Sequence, residues 1–257
     1  LNKKRTKSSH RLQAGDLIEV FDISKFKSNN NDKKIKYIPQ KKELFKYDDY
    51  VIENNENFIV INKPAGIPVQ SGTKSFKNIT DILKNSKYFK DSKPFIVHRI
   101  DKETSGILII AKNRKYAQLF TTLFRIRKIH KTYLALAYGK INKSVKSIRD
   151  ELTYFENKKK ITQKAISNIK IIKSNDELSY LELNPITGRK HQLRKQLLNL
   201  GNPIVGDDKY FLTNFRKIKT RNLMLHAYKI KFMINNVQYN FKAKYNNYFE
   251  QLLKDKF

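Results

Sequence analysis

His98-Arg99-Ile100-Asp101-Lys102-Glu103-Thr104-Ser105-Gly106 lies between two apolar, β-branched runs, Phe95-Ile96-Val97 and Ile107-Leu108-Ile109-Ile110-Ala111. The pattern reads strand, polar loop, strand. Two buried strands holding a short loop make a rigid mount for chemistry, and this loop carries His, Arg, Asp, Thr and Ser. Gly106 lets the chain turn where a Cβ would clash. Taken alone, the stretch also fits an ordinary connector whose Asp and Thr cap their own backbone.

A chain of 257 residues has room for one large domain with a small appendage. With 39% hydrophobic and 12% aromatic residues it can bury a proper core, which excludes disorder throughout. Lys and Arg number 54 against 23 Asp and Glu, a formal charge of +31 that calls for a polyanion. Nucleic acid is the first partner to consider and an anionic membrane surface the second. Part of that excess belongs to a bias towards Lys, Asn and Ile of the kind AT-rich codons produce. The absence of Cys excludes disulfides, a thiolate nucleophile and sulfur-ligated metal. No apolar run approaches the ~18 residues of a membrane span. The start, Leu1-Asn2-Lys3-Lys4-Arg5, has no signal-peptide core. The first residue is not Met, so the chain is expected to begin inside a longer one. These features predict a soluble, cytoplasmic protein with no membrane partner.

Residues 1–22 have a basic start, a Gly15-Asp16 turn and a short alternating strand, Leu17-Ile18-Glu19-Val20. Residues 23–49 are poor in apolar side chains and read as a linker. A domain covering 50–257 follows, with a strand Asn57–Asn62 and a turn Lys63-Pro64-Ala65-Gly66. Asn78–Tyr88 predicts a helix with Ile79, Ile82 and Leu83 on one face. Tyr116, Leu119, Phe120, Leu123 and Phe124 recur at helical spacing and read as core. His130–Gly139 is a strand, and Lys158-Lys159-Lys160 reads as a solvated loop. Tyr180–Leu183 is a strand, with a helix ending at Gly201 after it. Met233–Gln238 reads as a hairpin with an Asn-Asn turn, and Tyr248–Leu253 as a closing helix.

The string HRIDKETSGILIIAKN from His98 resembles the central signature of the RluA-type pseudouridine synthases, most closely the RluC-like enzymes of large-subunit ribosomal RNA. Four further strings resemble the same family: Asn62-Lys63-Pro64-Ala65-Gly66, the KTYLALAYG run from Lys131, TGRKHQLR from Thr187, and Gly201-Asn202-Pro203-Ile204-Val205-Gly206-Asp207 through Tyr210. Leu225-His226-Ala227 fits its late LHA strand. One departure is visible: RKQL stands where RVHL is common, so Gln196 replaces a usual His. The resemblance implies an α+β fold whose central, mostly antiparallel sheet carries an active-site cleft. Residues 1–22 then resemble the last part of a small alpha-L RNA-binding module.

The implied reaction breaks the glycosidic bond of a uridine, turns the uracil and rejoins it through carbon five. A carboxylate beside the sugar can stabilise cationic character at the anomeric carbon, add to it, or abstract a proton. The resemblance assigns that role to Asp101, with Tyr133 against the base and Arg194 as the basic partner of Asp101. Tyr133 is one of 14 tyrosines and only the resemblance selects it. Arg99 is placed to fill the gap left by a flipped base and to touch phosphate. His98, Thr104, Ser105, Arg189, His191 and Gln192 are assigned to RNA contact or loop support. The reaction needs no cofactor and no metal. Expected partners are large-subunit ribosomal RNA, with tRNA as alternative, for a monomeric enzyme. A non-catalytic RNA-binding assembly protein would share the charge, but leaves the contexts of Asp101, Tyr133 and Arg194 unexplained. His98, His191 and His226 lack any metal-binding spacing, and Asp101 with Glu103 makes a poor glycosidase pair on an extended loop.

Overall fold

The computed structural model describes residues 11, 13–17, 37, 39–40, 44, 47–71, 77–90, 92–156 and 159–257. It separates into compact units 1–36 and 37–257. The first is described only around a turn at Ala14-Gly15, where Gln13 N–H meets the Asp16 carboxylate at 2.8 Å. The expected strand at 17–20, the rest of the alpha-L remnant and most of the linker lie outside the described residues. The second unit starts at Tyr37, inside the stretch read as a linker: Tyr37, Leu44, Tyr47 and Tyr50 all pack on one of its apolar clusters.

Among the described residues, ten strands of the second unit form a single sheet. In chain order they are β1 (Val51–Asn54), β2 (Phe58–Lys63), β3 (Phe95–Ile96), β4 (Ser105–Ala111), β5 (His130–Tyr138), β6 (Ser147–Glu156), β7 (Lys159–Ser174), β8 (Leu178–Pro185), β9 (Leu225–Ile234) and β10 (Val237–Lys242). Their spatial order is β1-β2-β4-β9-β5-β8-β7-β6, with β10 on β9 and β3 on β4. Every described pairing is antiparallel except β4 with β9, which run parallel at Ser105–His226 and Gly106–Ala227. The helices whose bounds lie among the described residues are α1 (Ile79–Lys84), α2 (Arg114–Arg125), α3 (Gln192–Asn199) and α4 (Asn247–Lys256). None of them is long and apolar enough to cross a membrane.

The unbroken apolar runs are explained by burial on both sheet faces. Ile59, Ile61, Leu108 and Ile110 face one cluster, with Ile79, Ile82 and Leu83 of α1. Their alternates Phe58, Val60, Ile107 and Ile109 face another, with Phe120 of α2. The aromatic stripe of α2 is core, as its spacing predicts. A third cluster joins β5, β7 and β8 to α3 and α4. The Asn235-Asn236 turn forms with φ of 51° and 62°, the left-handed pair a tight hairpin demands. Helix α1 is shorter than expected: Asn78 caps it through Asp81 N–H at 2.9 Å, and the chain then breaks into a 3-10 turn at Lys87–Phe89. Lys159 and Lys160 belong to the long β6–β7 hairpin rather than to a loop, and Lys158 lies outside the described residues.

Candidate active site

The loop between β3 and β4 is tied down from three sides. Lys63, fully buried at the end of β2, donates to the carbonyls of Pro64 (2.9 Å), Ile67 (2.8 Å) and Lys102 (3.2 Å). The Lys102 carbonyl also accepts Gly66 N–H at 2.8 Å. Burial brings the Lys63 ammonium down to about 7, against the pull of Glu103 and Asp101. His98 Nε2 accepts the Ile109 amide at 2.9 Å, and its ring stacks on Phe124 with centroids 4.6 Å apart. Ser105 Oγ lies 2.8 Å from His226 Nδ1, and His226 Nε2 lies 3.1 Å from the Ala243 carbonyl. A carbonyl only accepts, so Nε2 carries the hydrogen and Nδ1 receives the Ser105 hydroxyl. At Gly106 the backbone has φ +108°, and a Cβ there would collide with the Ala227 backbone on β9. That close approach sets the loop against the sheet.

What this mount presents is the Asp101 carboxylate, with a quarter of its side chain exposed. His191 Nε2 stands 3.7 Å from one oxygen and Arg194 Nη1 3.7 Å from the other. Both basic groups come from the start of α3. His191 is the N-cap residue in the left-handed region, φ 54° and ψ 32°, a strained choice for a non-glycine residue that turns its ring towards the loop. Its Nδ1 meets the Tyr210 hydroxyl at 2.9 Å. Burial lowers the His191 pKa, and Asp101 opposes that shift.

Arg194 differs from expectation. Its bidentate partner is Asp207, not Asp101: Nε donates at 2.7 Å and Nη2 at 2.8 Å to a carboxylate that is itself fully buried. Asp207 also accepts the amides of Lys209 (3.0 Å) and Tyr210 (2.9 Å). The side-on grip leaves Nη1 pointing at Asp101 and at Glu103, 3.4 Å away. The Tyr210 ring lies beneath the guanidinium, 5.0 Å from its carbon. Burial works against the Arg194 charge, but the Asp207 fork outweighs it and raises the pKa. Asp207 and Tyr210 are the residues sequence reasoning missed. Their signal was the Gly206-Asp207…Tyr210 string, read only as a family marker.

The remaining expected residues sort by exposure. Arg99 is exposed beside Asp101, and Arg189 uses Nε on the Lys164 carbonyl at 3.1 Å while remaining partly exposed. Tyr133 of β5 is half-buried next to Asp101, and burial, then that charge, pushes its phenol up so that it keeps its proton. Of the residues assigned to RNA contact or loop support, three serve as loop support. Gln192 is buried and fully engaged: Oε1 accepts Thr187 Oγ1 (2.7 Å) and Arg189 N–H (3.0 Å), while Nε2 donates to the Ile166 carbonyl (3.1 Å) and Ser167 Oγ (2.9 Å). Thr104 is buried, and His98 is used up on Ile109 and Phe124. These three support the loops that carry the site.

The site is thus a partly exposed carboxylate flanked by His191 and Arg194 beside a mixed sheet. The RNA pseudouridylate synthase family model matches residues 57–199. The chain belongs to that family, isomerases that convert uridine to pseudouridine in RNA. It is 38% identical over 224 residues to the ribosomal large subunit pseudouridine synthase C of Rickettsia felis, covering 82% of this chain and 72% of the relative. The enzyme of the same name from Buchnera aphidicola subsp. Baizongia pistaciae is 33% identical over 251 residues, covering 90% and 76%. Among solved structures, human RNA pseudouridylate synthase domain containing 4 superposes with a TM-score of 0.70 at 26% identity, over 82% of this chain and 94% of that one.

Proposed function

We propose that this enzyme isomerises specific uridines of large-subunit ribosomal RNA with Asp101 as its catalytic carboxylate. The observation that carries the assignment is the convergence on Asp101 of His191 and Arg194, both at 3.7 Å and both supported from behind by the 206–210 loop. The names of the two relatives support the ribosomal substrate. The reaction breaks the bond between N1 and the anomeric carbon, turns the uracil, joins C5 to that carbon and releases the C5 proton while N1 gains one. On this reading the Asp101 carboxylate is the group that meets the sugar. His191 and Arg194 aim it, and Tyr133 lies under the base as a neutral phenol. Arg99 is the exposed side chain for filling the gap in the helix and for phosphate, and Arg189 contacts the strand beside it. On this reading residues 1–22 close an RNA-binding module, and the protein acts as a cytoplasmic monomer.

The test is pseudouridine mapping by carbodiimide and primer extension on unmodified large-subunit ribosomal RNA, with wild type beside Asp101→Asn. New modification by wild type only is expected. Turnover by Asp101→Asn near the wild-type level would remove Asp101 from its role. A blank ribosomal RNA with modified tRNA would move the substrate to tRNA.

A further inference from the structure

We propose that Lys131 is an anion site that takes a backbone phosphate of the RNA beside the target uridine. Lys131 lies on β5 opposite Ile230 of β9, two residues before Tyr133, which pairs with Ala227 beyond a register shift in the same ladder. The Lys131 side chain is half-buried between two loops: its charge acts on His98 of the 97–104 loop, and a Cβ built on Gly188 would lie 3.8 Å from its Nζ.

Two lysines near this site solve burial in opposite ways. Lys63 spends all three N–H groups on carbonyls. Lys131, among the described residues, has no hydrogen bond or ion pair on its ammonium. Burial lowers its pKa, and no carboxylate is close enough to offset the effect. The titratable group that faces it, His98, is a neutral acceptor and contributes no negative charge. A half-buried ammonium without a counter-charge is less stable than an apolar side chain of the same length. Its presence between the loops that carry His98 and Gly188 is accounted for by a negative group that arrives with the substrate. RNA supplies one phosphate per nucleotide, and Gly188, having no side chain, leaves the approach to Nζ open.

The inference rests on RNA being the substrate, and the experiment separates the two. Full-length wild type, Lys131→Met, Lys131→Arg and Gly188→Asp are titrated with unmodified large-subunit ribosomal RNA transcript between 50 and 300 mM KCl, with turnover and thermal unfolding measured in parallel. Lys131→Met is expected to make the log–log salt slope shallower by about 0.7–0.9, one phosphate contact. It should raise KM roughly tenfold with kcat retained, and its unfolding temperature should hold or rise. Lys131→Arg should restore the slope. Gly188→Asp, which puts a carboxylate beside the ammonium, should mimic Lys131→Met in slope. A Lys131→Met protein that is less stable or unfolded, or one with an unchanged slope, would overturn the proposal in favour of a structural lysine. If wild type neither binds nor modifies the transcript, the ribosomal substrate fails on that arm alone, and the same slopes are read on tRNA.

Discussion

Arg194 is oriented by its choice of partner. Because Asp207 grips Nε and Nη2, the remaining Nη1 has one direction to point, towards Asp101 and Glu103 of the 98–106 loop. Asp207→Ala would leave a buried guanidinium uncompensated, a loss of about 3–5 kcal/mol in urea denaturation. Asp207→Asn should keep the fold at a smaller cost while kcat falls far more than KM changes. An Asp207→Asn enzyme with wild-type kcat would show that Arg194 needs no such guide. The histidines make a second residue-scale prediction. His98 and His226 both act as acceptors, and burial lowers them to about 3 and about 4 from 6.5. Below pH 6.5 the unfolded chain takes up protons that the folded one refuses. Stability therefore falls as pH drops from 6.5, through about 4 for His226 and about 3 for His98, by up to ~1.4 kcal/mol per pH unit for each. His226→Asn should remove about half of that slope between pH 6.5 and 4.5. An undiminished slope would assign the effect elsewhere.

Helix α3 is held to β6 and β7 by a buried chain of polar side chains. Thr187 bonds Gln192, Gln192 bonds Ser167, and Ser167 donates to Gln196 Oε1 at 2.7 Å. Gln196 Nε2 closes the chain on the carbonyls of Ile148 (3.2 Å) and Ala165 (3.1 Å). Every polar atom of Gln196 is used, which explains how a position where the family commonly has His is filled here by Gln. Gln196→Leu should cost about 1–3 kcal/mol for each group left unpaired, with an unchanged denaturant slope. An equally stable variant would mean that α3 repacks freely. At β4 the constraint is backbone: Gly106→Ala places a Cβ against Ala227 at a φ of +108° and should yield no soluble folded protein. Elements with local causes were legible in the sequence. The β-branched runs gave strands, the stripe on α2 gave a core helix, and Asn235-Asn236 gave a turn. The pairing of Arg194 with Asp207 was not legible, because several carboxylates of equal chemistry compete for one guanidinium and only the tertiary path chooses. Gln192 was misread for a related reason. A polar side chain in a signature can serve the substrate or the scaffold, and burial alone separates the two.

Across the molecule, the excess of cations has two consequences with opposite dependence on salt. Of the carboxylates at the surface, Asp48, Asp176, Glu177, Asp208 and Glu250 already sit in ion pairs with lysines at 2.6–3.1 Å. Exposed pairs of this kind contribute little, ~0–1 kcal/mol each. The formal charge of +31 therefore remains as self-repulsion in the folded state and as attraction for RNA. Added salt screens both, over a Debye length of about 10 Å at 0.1 M. Raising KCl from 50 to 200 mM should thus raise the unfolding temperature of the free enzyme. Over the same range RNA affinity should fall by about 10³–10⁵ if six to ten phosphates are contacted. The two trends are measured on one sample series by thermal unfolding and by filter binding. If affinity barely changes with salt, recognition rests on base contacts and stacking in the cleft, and the surface lysines are only a compositional bias. If affinity falls as stated while the unfolding temperature rises, the same charges that weaken the free fold drive its capture of RNA.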